Sequence, residues 1–187
     1  MLLAWADLYL WGYTYIPNAK KKRFLVTYFY SGQKKALDSF MVGIPKSGLD
    51  INRFRVETPD NDENSPSFIY SEKYIDKFHS FYKFKKMDVM YTDKEDKDFY
   101  IYSGHLKISK FKTREQKLQF LKGTYIRNGS LDEEGNYILR YPHNIVPQFL
   151  ESTGSRIIKI RSEELIGGAP TIIFEPSAEL KELIEKK

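Results

Sequence analysis

The chain has no cysteine, so disulfides and thiolate-ligated zinc or iron–sulfur centres are excluded. That usage fits a reducing compartment, and the expected location is intracellular, in cytoplasm or an organelle matrix. Histidine is nearly absent too. His79, His105 and His143 are scattered, with no second His or paired acid at ligand spacing, which argues against a His-based metal or catalytic centre. No G-x-x-x-x-G-K-S/T, G-x-G-x-x-G or G-x-S-x-G loop occurs, and Gly167-Gly168 reads as a turn. No cofactor is expected. Long apolar runs are missing as well. The opening MLLAWADLYLWG is too short to span a bilayer. It has no basic leader, carries Asp7 and offers no small-x-small cleavage site, so it reads as a buried helix with no membrane role.

What is present is a globular composition over 187 residues, 41% hydrophobic and 29% charged, enough for a sizeable core. Aromatics are abundant at 14 Tyr and 13 Phe, residues suited to half-buried strands and stacking surfaces. The formal charge is +5. Residues 1–58 hold nine Lys/Arg against four acids, a local excess equal to that of the whole chain. Such a bias permits a nucleic-acid partner without demanding one.

Periodicity divides the chain into two similar halves. The first reads as a helix to Gly12, strands YTYIP and RFLVTYFYS, and a helix over QKKALDSFMVGIPKSG. Strands INRFRVET and SFIYS follow, then a helix around KYIDKFHSFYKF. The mixed charges of residues 85–98 read as a connector, and FYIYSGHLKISKF after them is β-rich without an assigned place. The second half starts with a T-x-x-Q capping box at Thr113 and a helix to Gly129. A hairpin around Glu134-Gly135 comes next, then a short helix with Pro147 in its first turn and Gly154 past its end. Strands RIIKIRS and PTIIFEP and a helix capped by Ser177 complete it. Each half has the order α-β-β-α-β-β-α. The expected organisation is 1–90 as first repeat, 91–110 as connector and 111–187 as second repeat.

Within LKGTYIRNGS, residues 121–130 resemble the LAGLIDADG signature of homing endonucleases and intron maturases. Leu121 stands for the first Leu, Gly123 for the helix-packing Gly, and Gly129 with Ser130 for the close of the motif. LAWADLYLWG gives the other copy, with Ala6 in the packing slot and Gly12 at the close. The resemblance implies an α+β fold of two pseudo-two-fold repeats, with antiparallel sheets carrying helices on one face and a nucleic-acid saddle on the other. It implies close approach of two motif helices at small residues: Ala4, Ala6 and Gly12 on one, Gly123 and Gly129 on the other. It also implies one metal-binding acid at the end of each motif helix. Here those slots hold Trp11 and Asn128, which argues against cleavage; Asp7 lies over a helical turn away and reads as an exposed or capping residue.

Candidate nucleic-acid contacts are the Lys20, Lys21, Lys22, Arg23 run, the strand pair Arg53 and Arg55, and their counterparts Lys159 and Arg161. Asp132, Glu133 and Glu134 would repel phosphate on the same face. Three functions stay open. The leading one is a DNA- or RNA-binding protein without cleavage, maturase-like, regulatory or part of a ribonucleoprotein with a protein partner. The others are a metal-dependent endonuclease with displaced ligands and a protein-interaction module.

Overall fold

The computed structural model describes residues 2, 4, 13–15, 24–59, 65–92, 98–140, 142–162 and 170–186. Leu2 and Ala4 are helical and buried. The chain divides into an N-terminal unit, Ala6–Lys107, and a C-terminal unit, Ile108–Lys187 together with Met1–Trp5. Both mix helices with antiparallel sheet.

The C-terminal unit follows the order its sequence predicts: α3 (Arg114–Asn128), β7 (Gly129–Leu131), β8 (Tyr137–Arg140), α4 (Val146–Ser152), β9 (Arg156–Ser162), β10 (Pro170–Glu175) and α5 (Ala178–Glu185). Local chemistry sets its boundaries. Thr113 Oγ1 accepts the Gln116 N–H at 3.2 Å, and Gln116 Oε1 accepts the Thr113 N–H at 3.2 Å, which closes the capping box. Pro147 lies in the first turn of α4, Gly154 at φ +79° ends it, and Ser177 Oγ accepts the Leu180 N–H at the start of α5. Arg114 ties three helices together through Glu179 and the Thr153 carbonyl, each at 2.8 Å.

The strands run in the order β7-β8-β10-β9, antiparallel throughout. Period-2 alternation sends Leu139, Ile172 and Phe174 into the core. There Phe111, Phe120 and Phe149 pack edge to face with centroids 5.0–5.6 Å apart. Each such pair contributes about 0.5–1.5 kcal/mol beyond area burial.

The N-terminal unit contains β1 (Tyr13–Tyr15), β2 (Leu25–Phe29), α1 (Lys34–Lys46), β3 (Arg55–Glu57), β4 (Ser67–Tyr70), α2 (Ile75–His79), β5 (Tyr82–Thr92) and β6 (Asp98–Leu106). Ala36, Phe40 and Ile44 form the buried stripe of α1, and Phe40 meets Phe29 of β2 at 5.7 Å.

Several expectations are corrected here. The segment 85–98 is largely strand, because β5 and β6 form a long hairpin out of that segment and the unassigned β-rich piece. The helix expected over 73–84 covers only Ile75–His79. From Tyr82 the burial alternates, with Tyr82 buried, Lys83 exposed, Phe84 half-buried and Lys85 exposed, which is a strand's period. The strands of this unit form two three-stranded sheets, β2-β4-β3 and β1-β6-β5. The β6 edge is the partner that β1 takes. INRFRVET also starts as a turn: Asp50 Oδ1 accepts the Asn52 N–H at 3.0 Å, and the strand begins only at Arg55.

Candidate functional site

The face of the C-terminal sheet turned away from the helices collects basic side chains in register. Thr171 of β10 is paired with Arg140 of β8 on one side and Arg161 of β9 on the other. All three leave the sheet on the same face. Two strand spacings separate the arginine backbones by about 10 Å. One step along, Ile173 is paired with Ile138 and Lys159 in the same manner. Arg140, Lys159 and Arg161 therefore surround an apolar floor in an open cleft of about 550 Å³. Arg140 is aimed by its own sheet, donating from Nη1 to Ser130 Oγ at 3.1 Å.

The β7–β8 turn forms the other wall, with Asp132, Glu133, Glu134 and Asn136. The acids differ in role. Asp132 Oδ1 accepts the N–H groups of Glu134 at 3.0 Å and Asn136 at 2.7 Å, while Oδ2 accepts from Asn136 Nδ2 at 3.1 Å. Gly135 completes the turn at φ +83°. The side-chain bond from Asn136, chiefly, holds the Asp132 carboxyl below the usual carboxylate range, and Arg161 adds to this electrostatically.

Lys159 and Arg161 therefore line one cleft. An edge position and a bulge in β9 opposite Ile173/Phe174 leave Ile158 and Ile160 about half exposed, so the apolar residues of RIIKIRS are not all buried. Arg140 was not among the expected contacts. Its place depends on the β8–β10–β9 register, which YILR alone does not reveal.

Arg53 and Arg55 do not share a strand face. Arg53 lies in the Ile51–Arg53 turn, 3.5 Å from Asp50. Arg55 opens β3, pairs with Glu57 at 3.0 Å and holds its guanidinium 5.3 Å from the Tyr70 ring centroid. Lys20, Lys21, Lys22 and Arg23 lie outside the described residues, as do Ala6, Trp11 and Gly12.

Gly123 is buried within α3 and Asn128 is its last residue. Gly129 caps that helix, donating its N–H to the Tyr125 carbonyl. Among the described residues no three His, Asp or Glu side chains come together as a metal site. A divalent metal also fits poorly with the neutral amide of Asn128 and the indole of Trp11.

The architecture compares with a crystal structure of I-DmoI in complex with DNA and Mn. The match has a TM-score of 0.53 at 16% identity and covers 98% of this chain and 89% of that one. The fold is that of the LAGLIDADG homing endonucleases. No protein-family model matches the sequence, and no curated relative does. The homing-endonuclease fold is thus shared in architecture at low identity, and the chemistry of this chain must be read from its own side chains. Among the described residues no helix is long and apolar enough to cross a membrane.

Proposed function

We propose that this chain binds nucleic acid through the open face of its C-terminal sheet and does not cleave it. The observation that carries the reading is the placement of Arg140, Lys159 and Arg161 on one face of a LAGLIDADG-type sheet. Cations at this spacing reach successive phosphates of a backbone, and guanidinium forks can also meet base edges. I-DmoI is seen with DNA on the same fold, which supports the choice of partner.

Arg53, Arg55 and the Lys20–Arg23 run are further backbone contacts in this reading. The lack of cleavage follows from Trp11 and Asn128, neither of which can supply the anionic ligand that an activated water needs. Such a binder suits an intracellular regulatory, maturase-like or ribonucleoprotein role.

The deciding experiment is duplex binding as a function of salt. Each phosphate neutralised releases counterions and adds a slope of about −0.9 in log K against log salt. The parent should lose affinity steeply with salt, and R140A/R161A should flatten the slope by about two units of charge. A salt-indifferent binding curve would instead point to a protein-interaction module. Duplex cleavage that requires Mg²⁺ and is lost in N128A would show that the chain is a nuclease.

A further inference from the structure

β9 lies at the edge of its sheet. In the order β7-β8-β10-β9 it pairs, among the described residues, with β10 alone, so one row of its backbone N–H and C=O groups faces away from the sheet. Lysines commonly blunt such an edge. β5 is guarded in this way, with Lys83, Lys85 and Lys86 exposed while Tyr82 is buried and Phe84 half-buried. β9 is a different kind of edge, because apolar residues stay exposed on it. Ile158 and Ile160 are 44% and 51% exposed. Ile160 is paired with Ile172, which is 1% exposed, so it leaves the sheet on the core side and remains half uncovered there. Edge strand β3 also exposes an apolar residue, Val56, but it spans three residues and its Arg55 is already paired with Glu57.

The other face of β9 is cationic. Lys159 and Arg161 stand beside the cleft, and among the described residues neither lies within ion-pair distance of an acid. Arg156, in contrast, is held by Glu175 at 2.5 and 2.9 Å. From Lys159 to Arg161 the strand thus alternates charge, apolar surface and charge along an open backbone row. An extended segment alternating acidic and apolar residues complements both faces at once, with acids across from Lys159 and Arg161 and an apolar side chain across from Ile160. A second copy of β9 does not fit. Every antiparallel register that keeps the faces aligned over these three residues sets a cation directly against a cation. Nucleic acid has no amide row to add to the sheet.

We infer that β9 takes up an extended acidic segment of a partner protein as a fifth strand of this sheet. Backbone hydrogen bonds supply the attachment, and the alternation of charge and apolar surface selects the segment. The bulge opposite Ile173/Phe174 breaks the row near Ile158, so the attachment centres on residues 159–162. The inference does not rest on nucleic-acid binding. Lys159 and Arg161 serve both ligands, however, so the acidic segment and a duplex exclude each other.

The test is fluorescence anisotropy on the full chain with a labelled peptide as long as β9 that alternates glutamate and valine. Two controls keep its composition: one gathers the glutamates and valines into blocks, and one is methylated on alternate backbone amides. The alternating peptide should bind, and K159A/R161A should weaken it about tenfold at low salt. Both controls should bind the parent no better than the alternating peptide binds that variant. Amide hydrogen exchange should slow in residues 156–162 when the peptide is added. K159E/R161E should refuse the peptide and accept one alternating lysine and valine, a gain that a misfolded variant cannot give. Equal affinity for the blocked or methylated control overturns the added strand in favour of plain charge attraction, and protection confined to other strands overturns it as well. A concentration-dependent dimer of the parent protected in β9 overturns it in favour of a second copy, and a ternary complex with duplex overturns this placement. Peptide binding without any duplex binding supports the strand while the duplex reading fails. Duplex binding lost in R140A/R161A, with no peptide binding by the parent, sinks the strand alone.

Discussion

Arg140 and Arg161 flank Thr171 from the two neighbouring strands and leave the sheet on one face. Their backbones stand about 10 Å apart, close to the Debye length at 0.1 M salt, so at that ionic strength they act nearly independently. R140A and R161A should each remove about 0.9 from the salt slope of duplex binding, and the double variant should remove the sum. Equilibrium titrations at four or more salt concentrations measure this. Both residues are exposed, so unfolding free energies should stay within about 0.5 kcal/mol of the parent.

The contrast between the two units shows what a single sequence reveals. In the C-terminal unit the boundary signals are local: the Thr113–Gln116 capping box, Pro147, Gly154 and Ser177 each act within a turn or so of themselves. Such signals are readable without a fold. Strand pairing is not local, and there the reading failed. The charges around Lys85 to Asp98 suggested a connector, although Tyr82 and Phe84 alternating with Lys83 and Lys85 already carried a strand's period. The pairing of β1 with β6, about ninety residues further along the chain, carries no local signal. The candidate site divides the same way. Lys159 and Arg161 were legible from alternation within one strand, whereas Arg140 needed the register of three. Asp132 looked like one more repelling charge, and its role as the acceptor of the turn appears only with the hairpin folded.

Gly129 should not tolerate a side chain. A methyl there would lie 2.3 Å from the Tyr125 ring and 2.5 Å from the Tyr125 carbonyl, and the carbonyl cannot move without disturbing the end of α3. The φ of −92° is ordinary, so the constraint is space rather than backbone conformation. G129A should cost about 1–3 kcal/mol in urea unfolding, the usual cost of overpacking. A second change, Y125A, should recover part of it by removing the ring, leaving the carbonyl conflict.

His79 should make the N-terminal unit sensitive to mild acid. Burial lowers its pKa from 6.5 to about 4, with Asp76 opposing the shift. Between those values the unfolded chain binds a proton that the folded chain refuses, so stability falls as pH drops from 6.5 towards 4 and levels off below. Phenylalanine at this position keeps a ring against Phe84, 5.0 Å away in the parent, and does not titrate. H79F should therefore show a flatter dependence of Tm on pH between 6.5 and 5 than the parent does. Parallel slopes would mean that His79 is protonated as readily in the fold as out of it.

Two neighbouring acids of the β7–β8 turn should respond in opposite ways. Asp132 accepts three hydrogen bonds that shape the turn, and its carboxyl is held ionised by them. D132A leaves the Glu134 and Asn136 N–H groups without that acceptor, and it should destabilise the hairpin, read as a lowered urea midpoint. Because the folded pKa is depressed, the stability that Asp132 supplies is present above its unfolded value and is lost as pH falls through the folded one. Glu133 is an exposed residue of the same cleft wall. In the proposed binding mode its charge would sit beside a phosphate backbone over Lys159 and Arg161, and a like charge at roughly 8 Å in water costs about 0.5 kcal/mol. E133Q should leave the unfolding midpoint unchanged and tighten duplex binding about twofold at low salt, with the gain fading as salt rises. D132N tests the turn further, since an amide keeps the acceptor oxygen without the charge: it should retain more of the stability than D132A does. Binding that weakens in E133Q would mean that the acid wall is itself a contact, accepting from base amino groups, and would move the duplex closer to the turn than the phosphate reading puts it.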